Sequence, residues 1–350
     1  MAKVAGWRHL QLFLGFFMSF MTLGSANLPQ FVVPLHPSVH DPGPKLHQAF
    51  KDSIMLARVA AVTFDPCEEV FLRYFTAEEA DFVKHAFRTL ANIALDVMIN
   101  EETGIGGLLE APTSAEALQP KFANLDVALG DHPDIPAADR LCGHLSEDGF
   151  LLDAYTYLDV DEFELSDEAS EVDMISLCEQ LFQFPSLGEI ELPPNEPWAR
   201  DAQGNPLPGF TCDGLGETDS DWMVSPGATL LHELMHWSHL FRDIPGFSGL
   251  IHPDEAGLPQ IRDFSQPNSI PPDGMGAFHA SLLKDLGPYT AIQNADSYRW
   301  YALSKYWSWK CKRGFAAPAS DMDVYKRGPR MSAPQPEVAA AGEWTTSTAQ

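Results

Sequence analysis

Ser225-Pro226-Gly227-Ala228-Thr229-Leu230-Leu231-His232-Glu233-Leu234-Met235-His236-Trp237 is the stretch on which the reading of this chain turns. Ser225 has the right side chain for a helix N-cap, and Pro226 suits the first helical turn. Leu230, Leu231, Leu234, Met235 and Trp237 surround the polar residues, the pattern of a buried helix that carries a site. His232 and His236 are four residues apart, so they lie one above the other on one helix face. Two imidazoles so placed reach one zinc ion. Glu233 stands beside them without ligating, where a carboxylate can accept a proton from an activated water and return it to a leaving amine.

Two histidines leave such a centre short of the three protein ligands usual in catalytic sites. The metzincin pattern needs Gly and His at fixed positions after the second histidine; His239 and Arg242 stand there, which excludes that class. Glu255 lies in a stretch that reads as a loop, His252-Pro-Asp-Glu-Ala-Gly, rather than on a second helix. Aspartates are plentiful downstream: Asp243, Asp254, Asp263, Asp273, Asp285 and Asp296.

Four segments in order then resemble the aspzincins, the deuterolysin and peptidyl-lysine metalloendopeptidase proteins of fungi. They are His232-Glu-Leu-Met-His236, Gln260-Ile-Arg-Asp263, Gly274-Met-Gly276-Ala-Phe278 and Asn294-Ala-Asp-Ser-Tyr-Arg-Trp-Tyr-Ala302. The resemblance is specific over roughly residues 225 to 307 and loose over 45 to 224. It implies a zincin-like fold and a secreted zinc endopeptidase, with Zn2+ held by His232, His236 and an aspartate, and with Glu233 as the catalytic base. Asp263 follows apolar Ile261 as the family's ligand does and is the preferred third ligand; Asp273, two residues before Met275-Gly276, is the alternative. The chain departs from the family twice. An insertion separates Asp263 from Gly276, and Met275 stands where the family has a tyrosine that stabilises the oxyanion. Methionine donates no hydrogen bond, and losing one such donor typically costs ~10²–10³ in rate. Tyr289, Tyr298 or His279 are the candidates to replace it. Asp296 is expected either to orient a ligand histidine or to cap its own helix. Tyr298, Tyr301, Ala302 and Tyr306 form a face expected to pack behind the zinc helix.

Outside this region the sequence bounds the protein more loosely. The chain has 350 residues, 45% hydrophobic and 20% charged, enough for a substantial core. Its 22 basic residues against 49 acidic ones give a net charge of -27, which argues against nucleic acid and against anionic membranes as partners. Lys3 and Arg8 precede the apolar run Leu10 to Leu23, and Gly24-Ser25-Ala26 follows: a signal peptide cleaved after Ala26, hence a secreted, extracellular protein. Five cysteines, Cys67, Cys142, Cys178, Cys212 and Cys311, then predict two disulfides and one thiol left over.

The periodicity predicts a helix from Lys45 to about Val62. A second begins near Thr76, with Thr76 and Glu79 as a capping box. Ala154 to Leu158 reads as a strand, Asp159 to Asp173 as an acidic solvated loop, Met174 to Phe184 as a helix, and Asp201 to Pro208 as a turn. The expected organisation is a signal peptide over 1–26, one catalytic domain over 27–312 and a disordered tail over 313–350. The fold class is α+β, mostly α-helical with a small sheet. The expected substrate is a protein or peptide and the expected state a monomer. The competing reading is a secreted zinc-binding protein with little or no activity, a surface antigen or zinc scavenger, which the Met275 departure favours and the intact Glu233 opposes.

Overall fold

The computed structural model describes residues 27–33, 43–97, 99, 109, 118–144, 151–157, 173–253, 257, 259–264, 274–318 and 320. The expected signal peptide, most of the acidic segment, Asp254, Glu255 and Asp273 lie outside them.

The architecture is α+β, with more helix than strand. Four strands, β1 (Gln30–Val32), β2 (Leu125–Leu129), β3 (Ala154–Tyr157) and β4 (Asp173–Leu177), form one mixed sheet in the order β1-β2-β4-β3. β1 and β4 run parallel to β2, and β3 lies antiparallel to β4 at the sheet edge, with Thr156 opposite Ile175. The main helices are α1 (Gly43–Val62), α2 (Glu69–Tyr74), α3 (Ala80–Leu90), α4 (Leu187–Glu191), α5 (Pro226–His236), α6 (Gly276–Leu283) and α7 (Ala295–Cys311).

The helix carrying the histidines, α5, is the centre of the molecule. Every residue from Pro226 to Met235 is buried. α1 and α7 pack on it, and β3 and β4 touch it as well. A helix apolar on all sides is stable only in such an enclosure. Ser225 caps it by accepting the Ala228 N–H. The approach of α1 is close enough to require Gly227, where a Cβ would stand 2.3 Å from the Asp52 Cβ.

α1 begins at Gly43, two residues earlier than periodicity suggests, and ends as expected at Val62. The second helical segment opens on a 3-10 turn, Ala77–Glu79, in which the Glu79 carboxylate accepts the Thr76 N–H at 2.7 Å. Asp201 to Pro208 does turn back: the Asp201 N–H donates to the Asn205 carbonyl at 2.9 Å, and Asp201 Oδ1 accepts the Gln203 and Asn205 N–H groups.

One expectation is corrected. Met174 to Phe184 is not a helix: its first part is β4 and the rest a 3-10 turn, Glu179–Gln183. β4 lies between two strands, so Ile175, Ser176 and Leu177 are all buried. A short apolar run without alternation does not separate such a strand from a helix. α7 does pack on α5, and the rings of its Tyr298 and Tyr301 also meet Phe75, at the end of α2, and Phe87 of α3. The fold also continues past residue 312, because Phe315 is buried and its carbonyl accepts from Arg73 Nη2 at 2.7 Å.

Cys142 pairs with Cys178 and Cys212 with Cys311, leaving Cys67 as an exposed thiol. The disulfides are consistent with an extracellular protein. No described helix is long and apolar enough to cross a membrane.

Candidate metal centre

At the C-terminal end of α5 three ligand atoms converge. His232 Nε2 and His236 Nε2 are 3.1 Å apart, and Asp263 Oδ1 is 3.0 Å from the first and 3.7 Å from the second. Among the described residues this is the group of His, Cys, Asp and Glu side chains whose ligand atoms meet within 4.8 Å. Glu233 is not a member of it, and neither is Asp243, whose carboxylate takes Lys121 Nζ at 2.7 Å, nor Asp285, paired with Lys284.

The hydrogen bonds on the far side of each ring say what the near side holds. His236 Nδ1 lies 2.8 Å from the Ile261 carbonyl, which only accepts, so this nitrogen carries the proton. His232 Nδ1 lies 2.9 Å from Asp296 Oδ1, again an acceptor. Nε2 is thus the nitrogen each ring turns inward, and it offers a lone pair to a metal when the ring is neutral. Two such nitrogens and a carboxylate oxygen facing one point call for a positive charge between them, a metal ion or the proton of an imidazolium. Separations of 3.0 to 3.7 Å also match the edge, about 3.3 Å, of a tetrahedron of nitrogen and oxygen ligands around zinc. The His232-His236-Asp263 group can hold a metal ion.

Without a metal that charge is the proton on His232: burial alone would depress its pKa, but the Asp263 and Asp296 carboxylates outweigh it and push it up to about 10. The half-exposed Asp263 carboxyl is held well below the usual range by His232, with His236 and Arg299 adding to the effect. Both directions describe a site built to attract positive charge.

Asp263 is placed by its neighbours in the chain. The Arg262 N–H donates to the Gln293 carbonyl at 2.8 Å, the Ala295 N–H to the Arg262 carbonyl at 2.9 Å, and the Phe264 N–H to Asn294 Oδ1 at 2.9 Å. Gln260 Nε2 reaches the His236 carbonyl at 3.0 Å. The loop is thus tied to the start of α7 on one side and to the end of α5 on the other. Asn294 and Gln293 hold this loop, a role that sequence reasoning did not assign to them.

Asp296 serves the histidine. It sits in the first turn of α7 and is fully buried, but its carboxylate leaves that helix for His232 Nδ1 and for the Gly276 N–H at 2.6 Å. Arg299 Nε and Nη2 meet the same carboxylate at 2.8 and 3.1 Å. Gly276 has φ +83°, a conformation that glycine adopts freely and that aims its N–H at Asp296.

Glu233, buried beside the ligands, takes a hydrogen bond from a residue that the sequence did not single out. Thr156 Oγ1 on the edge strand β3 lies 2.9 Å from Glu233 Oε2 and 3.0 Å from the Glu233 carbonyl. Helix α5 ends at His236, and the N–H of its C-cap Trp237 bonds to the Leu234 carbonyl. Nothing in the local sequence Ala154-Tyr-Thr-Tyr157 marks this threonine.

Of the residues considered in place of the family tyrosine, Tyr298 is fully buried and donates to the Ile292 carbonyl at 3.1 Å. Tyr289 is 37% exposed with φ +63°, and His279 is half-buried on α6. Met275 stands at the N-cap position of α6 without a side-chain capping bond and is 40% exposed.

No family model matches the chain, and neither a curated protein nor a solved structure matches it.

Proposed function

We propose that this chain is a secreted zinc-dependent endopeptidase. The observation that carries the reading is the meeting of two inward Nε2 atoms and the Asp263 carboxylate at one point, with a non-ligating Glu233 adjoining them. Zinc, when bound there, supplies a Lewis acid that polarises a carbonyl and acidifies a water. His232, His236 and Asp263 would hold it, and the aspartate offsets part of its charge.

The remaining work belongs to side chains. Glu233 accepts a proton from the attacking water at its carboxylate and later delivers it to the leaving amine. Thr156 fixes that carboxylate by donating to Oε2. A peptide substrate would pair in extended form with edge strand β3, which bears Thr156. The apolar leader behind Lys3 and Arg8 and the disulfides support export, and the net charge of -27 argues against nucleic acid.

The Met275 departure favours a second reading, a secreted zinc-binding protein of low activity. One experiment separates the two: casein cleavage by the purified chain, with and without chelator, beside Glu233→Gln. The amide keeps the shape and does not accept the proton, so cleavage should fall by ~10²–10⁴ while zinc content stays the same. A wild-type chain that binds zinc and cleaves nothing establishes the second reading.

A further inference from the structure

We propose that Arg299 is a positioning residue for the metal centre, acting on His232 through Asp296. The inference rests on the reading of His232, His236 and Asp263 as metal ligands. Asp296 is wholly buried, and its oxygens make three hydrogen bonds to the groups around it: Oδ1 takes His232 Nδ1, and Oδ2 takes the Gly276 N–H and Arg299 Nη2. Arg299 Nε adds an ion-pair contact to Oδ1 at 2.8 Å without a hydrogen bond. The guanidinium therefore holds the carboxylate from one side, one helical turn along α7. The held carboxylate decides where the His232 ring points, because a carboxylate accepts along its lone pairs. With the ring held, Nε2 faces His236 Nε2 and Asp263 Oδ1.

A simpler role for Arg299 predicts the opposite result. Arg299 is a positive charge close to the metal position; its influence extends to the Asp263 carboxylate. As a mere charge it repels a cation, and its removal should tighten metal binding. As a clamp on Asp296, its removal should loosen binding, since partners behind a ligand histidine typically contribute about 10–100-fold in metal affinity. Lysine separates charge from clamp: it keeps the positive charge but offers no planar fork.

The test is zinc affinity by competition with a chromophoric chelator for the full mature chain, Arg299→Gln and Arg299→Lys. The melting temperature of each metal-free protein confirms that it is folded. The second readout is the His232 Nδ1–H resonance in metal-free protein. The expected result is a roughly 10–100-fold loss of zinc affinity in Arg299→Gln, a smaller loss in Arg299→Lys, and a weakened Nδ1–H signal in both. Equal or tighter zinc binding in Arg299→Gln, with the resonance intact, overturns the proposal. If wild type binds no zinc and the resonance still depends on Arg299, the metal reading fails while the clamp stands.

Discussion

Thr156 Oγ1 and Glu233 Oε2 lie 2.9 Å apart across 77 residues of sequence, joining the edge of the sheet to the central helix. The hydroxyl is a donor from the sheet that meets the side chain assigned as base. Thr156→Val keeps the shape and removes the donor. A hydrogen bond to a charged group is worth ~1.5–3 kcal/mol, so turnover should drop about tenfold or more. KM should stay near its wild-type value, because the hydroxyl faces Glu233 and not the ligand atoms. Thr156→Ser should restore most of the rate. Steady-state kinetics on a peptide substrate decide it; a valine variant with unchanged turnover would show that Glu233 is positioned by other means.

The site was more legible than the fold around it. His232, Glu233 and His236 are fixed by one helical period, and a helix is a local structure that spacing alone reveals. Asp263 was legible only through the family resemblance, because its position depends on Asn294 and Gln293 pinning a loop thirty residues away. Thr156 carries no sequence signal, because its contact exists only once β3 has packed on α5; Arg299 lies at i,i+3 from Asp296, but its bearing on His232 exists only once α7 has packed on α5. β4 was misread because a strand enclosed on both faces loses the alternation that identifies strands. The cysteine count, by contrast, does not depend on packing detail, and it led to two bridges and one thiol.

Asp52 gives a pH dependence that is independent of the centre. It is buried on α1, accepts from Gln48 Nε2 at 2.8 Å and from the Leu187 N–H at 2.9 Å, and so ties α1 to the start of α4. Burial outweighs these bonds and pushes its pKa up to about 6 from 3.8. A carboxyl raised in the folded state binds more protons folded than unfolded. Its contribution is therefore fully present below pH 3.8 and is lost as pH rises through about 6. The loss is on the order of 3 kcal/mol at most. Asp52→Asn should flatten the change in melting temperature between those two pH values. Calorimetry on both proteins checks this; parallel curves would exclude Asp52 as the source.

Cys67 should be the one thiol that reacts in the native state. It is exposed, while the other four cysteines are paired. A thiol reagent should titrate one equivalent before and after denaturation without reductant. Reduction of Cys212–Cys311, which closes a separation of 99 residues, should cost about 4–5 kcal/mol if chain entropy governs the effect. Two or more thiols in the denatured, unreduced protein would contradict the pairing.

Asp263→Ala should remove most of the zinc affinity, and Asp273→Ala should not. Asp263 Oδ1 is 3.0 Å from His232 Nε2, and its loop is held at Arg262, Phe264 and Gln260 by hydrogen bonds to α7 and α5. The loop therefore presents the carboxylate whether or not a cation is present, and the alanine variant should fold normally. It leaves two imidazoles, fewer protein ligands than catalytic zinc sites use. Asp263→Asn is the sharper variant, because the amide keeps the volume and loses the charge. It should bind zinc more weakly than wild type yet more tightly than alanine, since its oxygen still accepts. The metal-free melting temperature should fall little, because the 48% exposed side chain contributes little packing. Zinc titration of the three proteins orders them. Equal affinity for wild type and Asp263→Ala would take the third ligand away from this loop, and a large loss in Asp273→Ala would move it to the segment before Met275.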